Sequence, residues 1–219
     1  MFYLLLFFAG SMQAQGATVK DSLKFLATSK EYVVLKPSSE FVIDLRYGSS
    51  NNFVGRDLYG EFNRGFLHRI AAEKFALARK NLAVVQPKYK LIVFDALRPR
   101  SVQAILWDKV KGTDQEKYVA DPKSGSVHNY GFALDLSLVD ENGRELDMGT
   151  PFDSFSPLAQ PDLEKKFLAE GKLTEPQLQN RLLLRKTMEE AGFIQLPIEW
   201  WHYDALPKQE AKAKYKIIE

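Results

Sequence analysis

Two hydrophobic periods alternate along the chain. From Gly65 to Val85, apolar residues fall at 66, 67, 70, 71, 75, 77, 78 and 82, the three-to-four spacing that predicts an amphipathic helix. From Phe132 to Leu138 the even positions are Phe, Leu, Leu and Leu, and the odd ones Ala, Asp and Ser. That alternation predicts a strand with one apolar face and Asp135 pointing away from it. Short runs rich in β-branched and aromatic residues at 31–37 (EYVVLKP) and 41–47 (FVIDLRY), parted by a Pro-Ser-Ser turn, predict two more strands. The run 90–96 (KLIVFDA) predicts a buried strand. It hands over at Arg98 and Pro99 to a helix through Val110, because proline is tolerated in a first helical turn. A third helix is expected over 175–191, stopped by Gly192, and a last strand over 198–203 (IEWWHY). No repeat, low-complexity tract or linker breaks this order, so a single α+β unit is expected.

Composition narrows the picture. Hydrophobic residues make up 45% of the 219 and charged residues 26%, enough to bury a full core and too ordered a mixture for a disordered chain. A net charge of +2 is too balanced for a nucleic-acid footprint, so nucleic acid is excluded as a partner. No charged side chain precedes Lys20, and the run FYLLLFFA at 2–9 is followed by small and polar residues. This reads as a signal peptide over residues 1–17, with the folded domain at 18–219. The run is well short of the ~20 residues of a membrane-spanning helix, so export to the periplasm or beyond is expected, without stable membrane insertion after cleavage. The chain has no cysteine, hence no disulfide, thiol nucleophile or thiolate ligand, and any metal must sit on histidines and carboxylates.

There are three histidines. His128 and Asp135 lie seven residues apart across Gly131, which could bend the backbone so that both face one cavity, and His202 would complete a His, Asp, His set. Three protein ligands leave one tetrahedral position open, the pattern of a catalytic zinc site, and zinc suits this nitrogen and oxygen set. Glu199, three residues before His202, is a candidate general base. In a regular strand residues 199 and 202 point to opposite faces, so both can reach one site only if the segment is twisted, bulged or locally helical. Arg98, at the end of a buried strand, could hold an oxygen that becomes negative during attack on a carbonyl, with Asp95 orienting it. Taken singly, each residue has a plainer reading: a helix-start arginine, a packed histidine, a Trp200-Trp201 pair in the core. His68 is read as a surface or packing residue. HExxH, GxSxG, GxxxxGK and GxGxxG are all absent.

Ser126 to Asp135 (SVHNYGFALD) resembles the SxHxxGxAxD signature, and Glu199 to His202 (EWWH) the ExWH signature, of zinc peptidases that cut D-alanyl-D-alanine bonds. Within that group the chain is similar to the D-alanyl-D-alanine dipeptidase family (the VanX type), because it also carries DLRY at 44–47, FDALRP at 94–99, MGTPFD at 148–153 and RLLLRKTMEEAGF before EWWHY. The resemblance runs from about residue 31 to 207 and implies a zinc D,D-peptidase (Hedgehog/D,D-peptidase-like) fold, a central antiparallel sheet flanked by helices. It implies one zinc on His128, Asp135 and His202, Glu199 as general base and Arg98 stabilising the tetrahedral intermediate. It further implies that Ser126 and Asp153 help bind a small dipeptide, the Asp153 carboxylate near its ammonium, while Asp95 supports the arginine. Such a site should be small and closed. Two departures stand out, the export signal and a charged tail after Pro207. They point to scavenging or recycling of wall-derived dipeptide. A zinc D,D-carboxypeptidase trimming stem peptides and a non-catalytic zinc-binding module are the competing readings, and oligomeric state is left open.

Overall fold

The computed structural model describes residues 19–219; the expected signal peptide lies outside the described residues. Helix α1 occupies 19–28 of what is described. Strands β1 (Tyr32–Val34), β2 (Phe41–Ile43) and β3 (Phe66–His68) precede helix α2 (Arg69–Val85). Strand β4 (Lys90–Asp95) leads to α3 (Arg100–Val110), and a 3-10 turn, Val127–Tyr130, opens strand β5 (Ala133–Val139). Helices α4 (Glu164–Ala169) and α5 (Glu175–Glu189), strands β6 (Ile194–Gln195) and β7 (His202–Asp204), and helix α6 (Lys208–Lys214) complete the chain. Among the described residues no helix is long and apolar enough to cross a membrane.

Five strands form one sheet in the order β2-β4-β5-β7-β6. It is a mixed sheet, which corrects the expected all-antiparallel one: β2 runs parallel to β4, and the other pairs are antiparallel. The physical reason is the connection, since a helix between two strands returns the second alongside the first in the same direction. Helix α2 buries Ala71, Phe75, Ala78 and Leu82 on one stripe. The helix is four residues shorter at its start than the periodicity predicts. Residues 66–68 are instead a strand paired with β1, and His68 is the N-cap, its ring nitrogen accepting from the Ile70 amide at 3.3 Å. His68 is a packing residue, stacked 4.3 Å from the Phe132 ring.

The segment after Pro207 folds back. Tyr215 packs 4.5 Å from Phe132, and the Ile218 amide donates to the Asn129 carbonyl at 2.9 Å, within the turn that carries His128.

Candidate active site

Sheet register assembles the site. Asp95 on β4 stands opposite Asp135 on β5, and Asp135 stands opposite His202 on β7, so three polar side chains form one row across the sheet. A register shift between Val93 and Asp95 marks a bulge that aims Asp95 into this row. His128 arrives from the 3-10 turn before β5. That turn is capped by Ser126, whose hydroxyl accepts from the His128 amide at 3.4 Å, and it ends at Gly131 with φ of 75°. A Cβ at Gly131 would lie 3.0 Å from the His68 backbone nitrogen and 3.0 Å from the Tyr32 ring. Left-handed backbone already costs a non-glycine residue ~1–2 kcal/mol. We therefore expect Gly131→Ala to lower unfolding free energy by at least ~2 kcal/mol and to weaken metal retention, read by urea denaturation and metal content.

His128 Nε2, His202 Nδ1 and Asp135 Oδ1 converge, with separations of 3.1, 3.0 and 3.3 Å. The other ring nitrogens settle which atoms are bare. His128 Nδ1 lies 2.6 Å from the Ala96 carbonyl oxygen, which can only accept, so that nitrogen carries the proton. His202 Nε2 lies 2.8 Å from Asp204 Oδ1 and donates in the same way. With both ring protons on the outer nitrogens, three lone pairs face one another at close range in a buried place, an arrangement that could hold a metal ion at its centre. Ligands about 2.0–2.1 Å from a tetrahedral ion stand roughly 3.3–3.4 Å apart, close to the separations seen. Ala96 and Asp204 are the outer partners that fix the ring orientations.

Glu199 reaches the same point because its segment is no strand. Residues 197–201 form turns, the Glu199 amide donates to Leu196, and β7 starts only at His202. Glu199 Oε2 lies 4.0 Å from His202 Nδ1. Burial pushes its carboxyl up to about 7, against the opposing pull of His202. Burial would also raise Asp135, but positive charge on His128 and His202, where protons stand in place of a metal ion, holds that carboxyl well below the usual range.

Arg98 is buried with its charges shared out. Nε donates to Asp95 Oδ2 at 2.8 Å, Nη1 to Gln103 Oε1 at 2.9 Å and Nη2 to Asp135 Oδ2 at 3.2 Å, and the guanidinium lies 4.9 Å from the Tyr47 ring centre. The Tyr59 hydroxyl donates to the other Asp95 oxygen. Asp153 holds φ of 61°, the only non-glycine positive φ among the described residues. Its Oδ1 accepts from the Tyr47 hydroxyl at 3.0 Å, whereas its Oδ2 is buried without a partner. Burial, with Asp135 nearby, pushes this carboxyl well above its ordinary value.

Of the eight expected residues all but Asp95 line one cavity of about 270 Å³, together with Tyr47, Gln103 and Asp204. The sequence brings out every one of the eight expected residues, and the structure brings them together. It adds Asp204, Tyr47, Tyr59 and Gln103. Asp204 was legible, since a residue two places along a strand shares the face of His202. The tyrosines and Gln103 reach the site only through tertiary packing.

The family profile described as D-ala-D-ala dipeptidase matches residues 30–217. The D-alanyl-D-alanine dipeptidase of Escherichia coli (strain K12) is 33% identical over 189 residues, covering 86% of this chain and 88% of the relative. The protein of the same name in Enterococcus faecalis (strain ATCC 700802 / V583) is 30% identical over 177 residues, covering 73% and 83%. That of Synechocystis sp. (strain ATCC 27184 / PCC 6803 / Kazusa) is 30% identical over 156 residues, covering 58% and 63%. On a match that spans most of its length, this chain belongs to the D-alanyl-D-alanine dipeptidase family.

Proposed function

We propose that the protein hydrolyses free D-alanyl-D-alanine to two D-alanine molecules, with one zinc ion per chain, after export to the periplasm or cell exterior. The observation that carries the substrate reading is the unpartnered Asp153 oxygen, a buried acceptor in the same cavity as the three converging ligand atoms. A buried acceptor left open is costly unless a donor arrives, and a dipeptide brings an ammonium. The cavity, about 270 Å³, is below the ~300–1,000 Å³ of pockets that take drug-sized ligands, which suits a dipeptide.

His128, Asp135 and His202 would hold the zinc; when bound it supplies Lewis acidity that polarises the carbonyl and eases deprotonation of water. Glu199 takes the proton from the attacking water and delivers it to the leaving amine as the peptide C–N bond breaks. A carboxyl that burial raises towards 7 suits both transfers near neutral pH, although a cation on the neighbouring histidines would draw it down again. Arg98 has one Nη1 hydrogen beyond those used by Asp95, Gln103 and Asp135, and it offers this to the oxygen that becomes negative. Asp95 and Gln103 hold the guanidinium in place. Ser126 faces the cavity as a polar group for the substrate carboxylate. The zinc D,D-peptidase (Hedgehog/D,D-peptidase-like) fold is part of the same proposal, supported by an antiparallel β5–β7 pair carrying two ligands. Export rests on the apolar run at 2–9. Outside the cytoplasm the substrate would be wall-derived dipeptide, so the role proposed is cell-wall peptide turnover.

The test measures D-alanine release from free D-alanyl-D-alanine by the purified chain, with and without a zinc chelator, beside an acetylated tripeptide ending in the same pair. Chelator-sensitive cleavage of the dipeptide alone is the expected result. Cleavage of the acetylated tripeptide would replace this reading with a carboxypeptidase, and an inert zinc-loaded protein would replace it with a binding module.

A further inference from the structure

We propose that Arg181 on α5, remote from the reacting atoms, is a positioning residue that sets recognition of the substrate ammonium by fixing the segment that carries Asp153. The inference rests on the reading of Asp153 given above. Arg181 is 1% exposed. Its Nε donates to the Met148 carbonyl at 2.7 Å and its Nη2 to the Leu158 carbonyl at 3.0 Å. Those carbonyls bracket residues 149–157, with Asp153 at the midpoint. Two more α5 side chains grip the same end: Asn180 Nδ2 donates to the Asp147 carbonyl at 2.9 Å, and Gln177 Nε2 to its carboxylate at 2.8 Å. A left-handed aspartate persists only where its surroundings over-determine it, and here the flanks are pinned to one rigid helix. A leucine or methionine would fill the space of Arg181 without burying a charge, but would leave the Met148 and Leu158 carbonyls without these donors. Glu164 lies 3.6 Å from its Nη1, an ion pair without a hydrogen bond, and is itself held by Arg185 at 2.6 Å.

The test is steady-state kinetics of the zinc-loaded full chain on D-alanyl-D-alanine, with zinc content and melting curves, for Arg181→Met, Asn180→Ala and Asp153→Asn. If the ammonium contact is uniform binding, its loss raises KM and leaves kcat in place. Arg181→Met should raise KM by about tenfold or more, the worth of a charged hydrogen bond, with kcat within about threefold and zinc retained. A merely structural role would lower the active fraction, so that kcat falls and KM stays. Should Arg181→Met fail to fold, Asn180→Ala, which loosens the same end from a half-buried position, should still raise KM several-fold. A KM unmoved by Asn180→Ala and by any foldable Arg181 variant, while Asp153→Asn raises it, overturns this inference alone. A KM unmoved by Asp153→Asn overturns the ammonium reading and this inference with it.

Discussion

Glu199→Ala should retain one zinc per chain and lose turnover by about 10²–10⁴-fold, the usual worth of a positioned acid-base group. Glu199 Oε2 stands 4.0 Å from His202 Nδ1, beyond the convergence point of the three ligand atoms, so its removal leaves the donor set intact. His128→Ala should behave differently. It takes away one of three ligands and leaves the Ala96 carbonyl without its donor, so zinc itself is lost and activity follows. Metal analysis after dialysis, beside kcat, separates the two. Equal zinc loss in both variants would show that Glu199 is a ligand and would remove it as the base.

The second large effect is expected at Arg98. Asp95 and Asp135 face each other across β4 and β5, and Arg98 is the cation between them. Arg98→Met takes their cation from two buried carboxylates, leaving Asp95 with the Tyr59 hydroxyl and Asp135 with the histidines, and removing one partner of a buried ion pair costs about 3–5 kcal/mol. Urea midpoints should drop accordingly. Arg98→Lys keeps the charge but has no fork, so it cannot serve Asp95, Gln103, Asp135 and a substrate oxygen together. It should keep most of the stability yet lose about 10²–10³-fold in kcat, the loss typical of one oxyanion donor. A lysine variant with near-normal kcat would show that Arg98 serves only to hold the sheet together.

The candidate ligands were legible because their chemistry has few alternatives: three histidines in the chain, two of them beside carboxylates at close spacing, and no thiol. Asp135 was also fixed by its place in an alternating strand. The orientation of Glu199 was not legible. It depends on a turn at 197–201, in a run whose aromatic content reads as strand. Trp200 and Trp201 are indeed buried, but as the filling beneath a turn. The parallel β2–β4 pair was hidden for a different reason: period and propensity say where strands lie, and only the connection through α2 says which way they run. Helix α6 escaped because KQEAKAK buries a single residue, Ala211. The tail after Pro207, expected to depart from the family, lies within the family match as far as residue 217, and its end braces the turn of His128.

The spacing of the ligands along the chain also orders events during biosynthesis. His128 and Asp135 are made together, whereas His202 is added 67 residues after Asp135 and the brace at Ile218 later still. At ~5–20 residues per second the ribosome carries a two-ligand half-site for roughly 3–13 s before a third ligand exists. On the proposed ligand set, metal capture waits until His202 has been made, and truncated products that end before it would lack the third ligand.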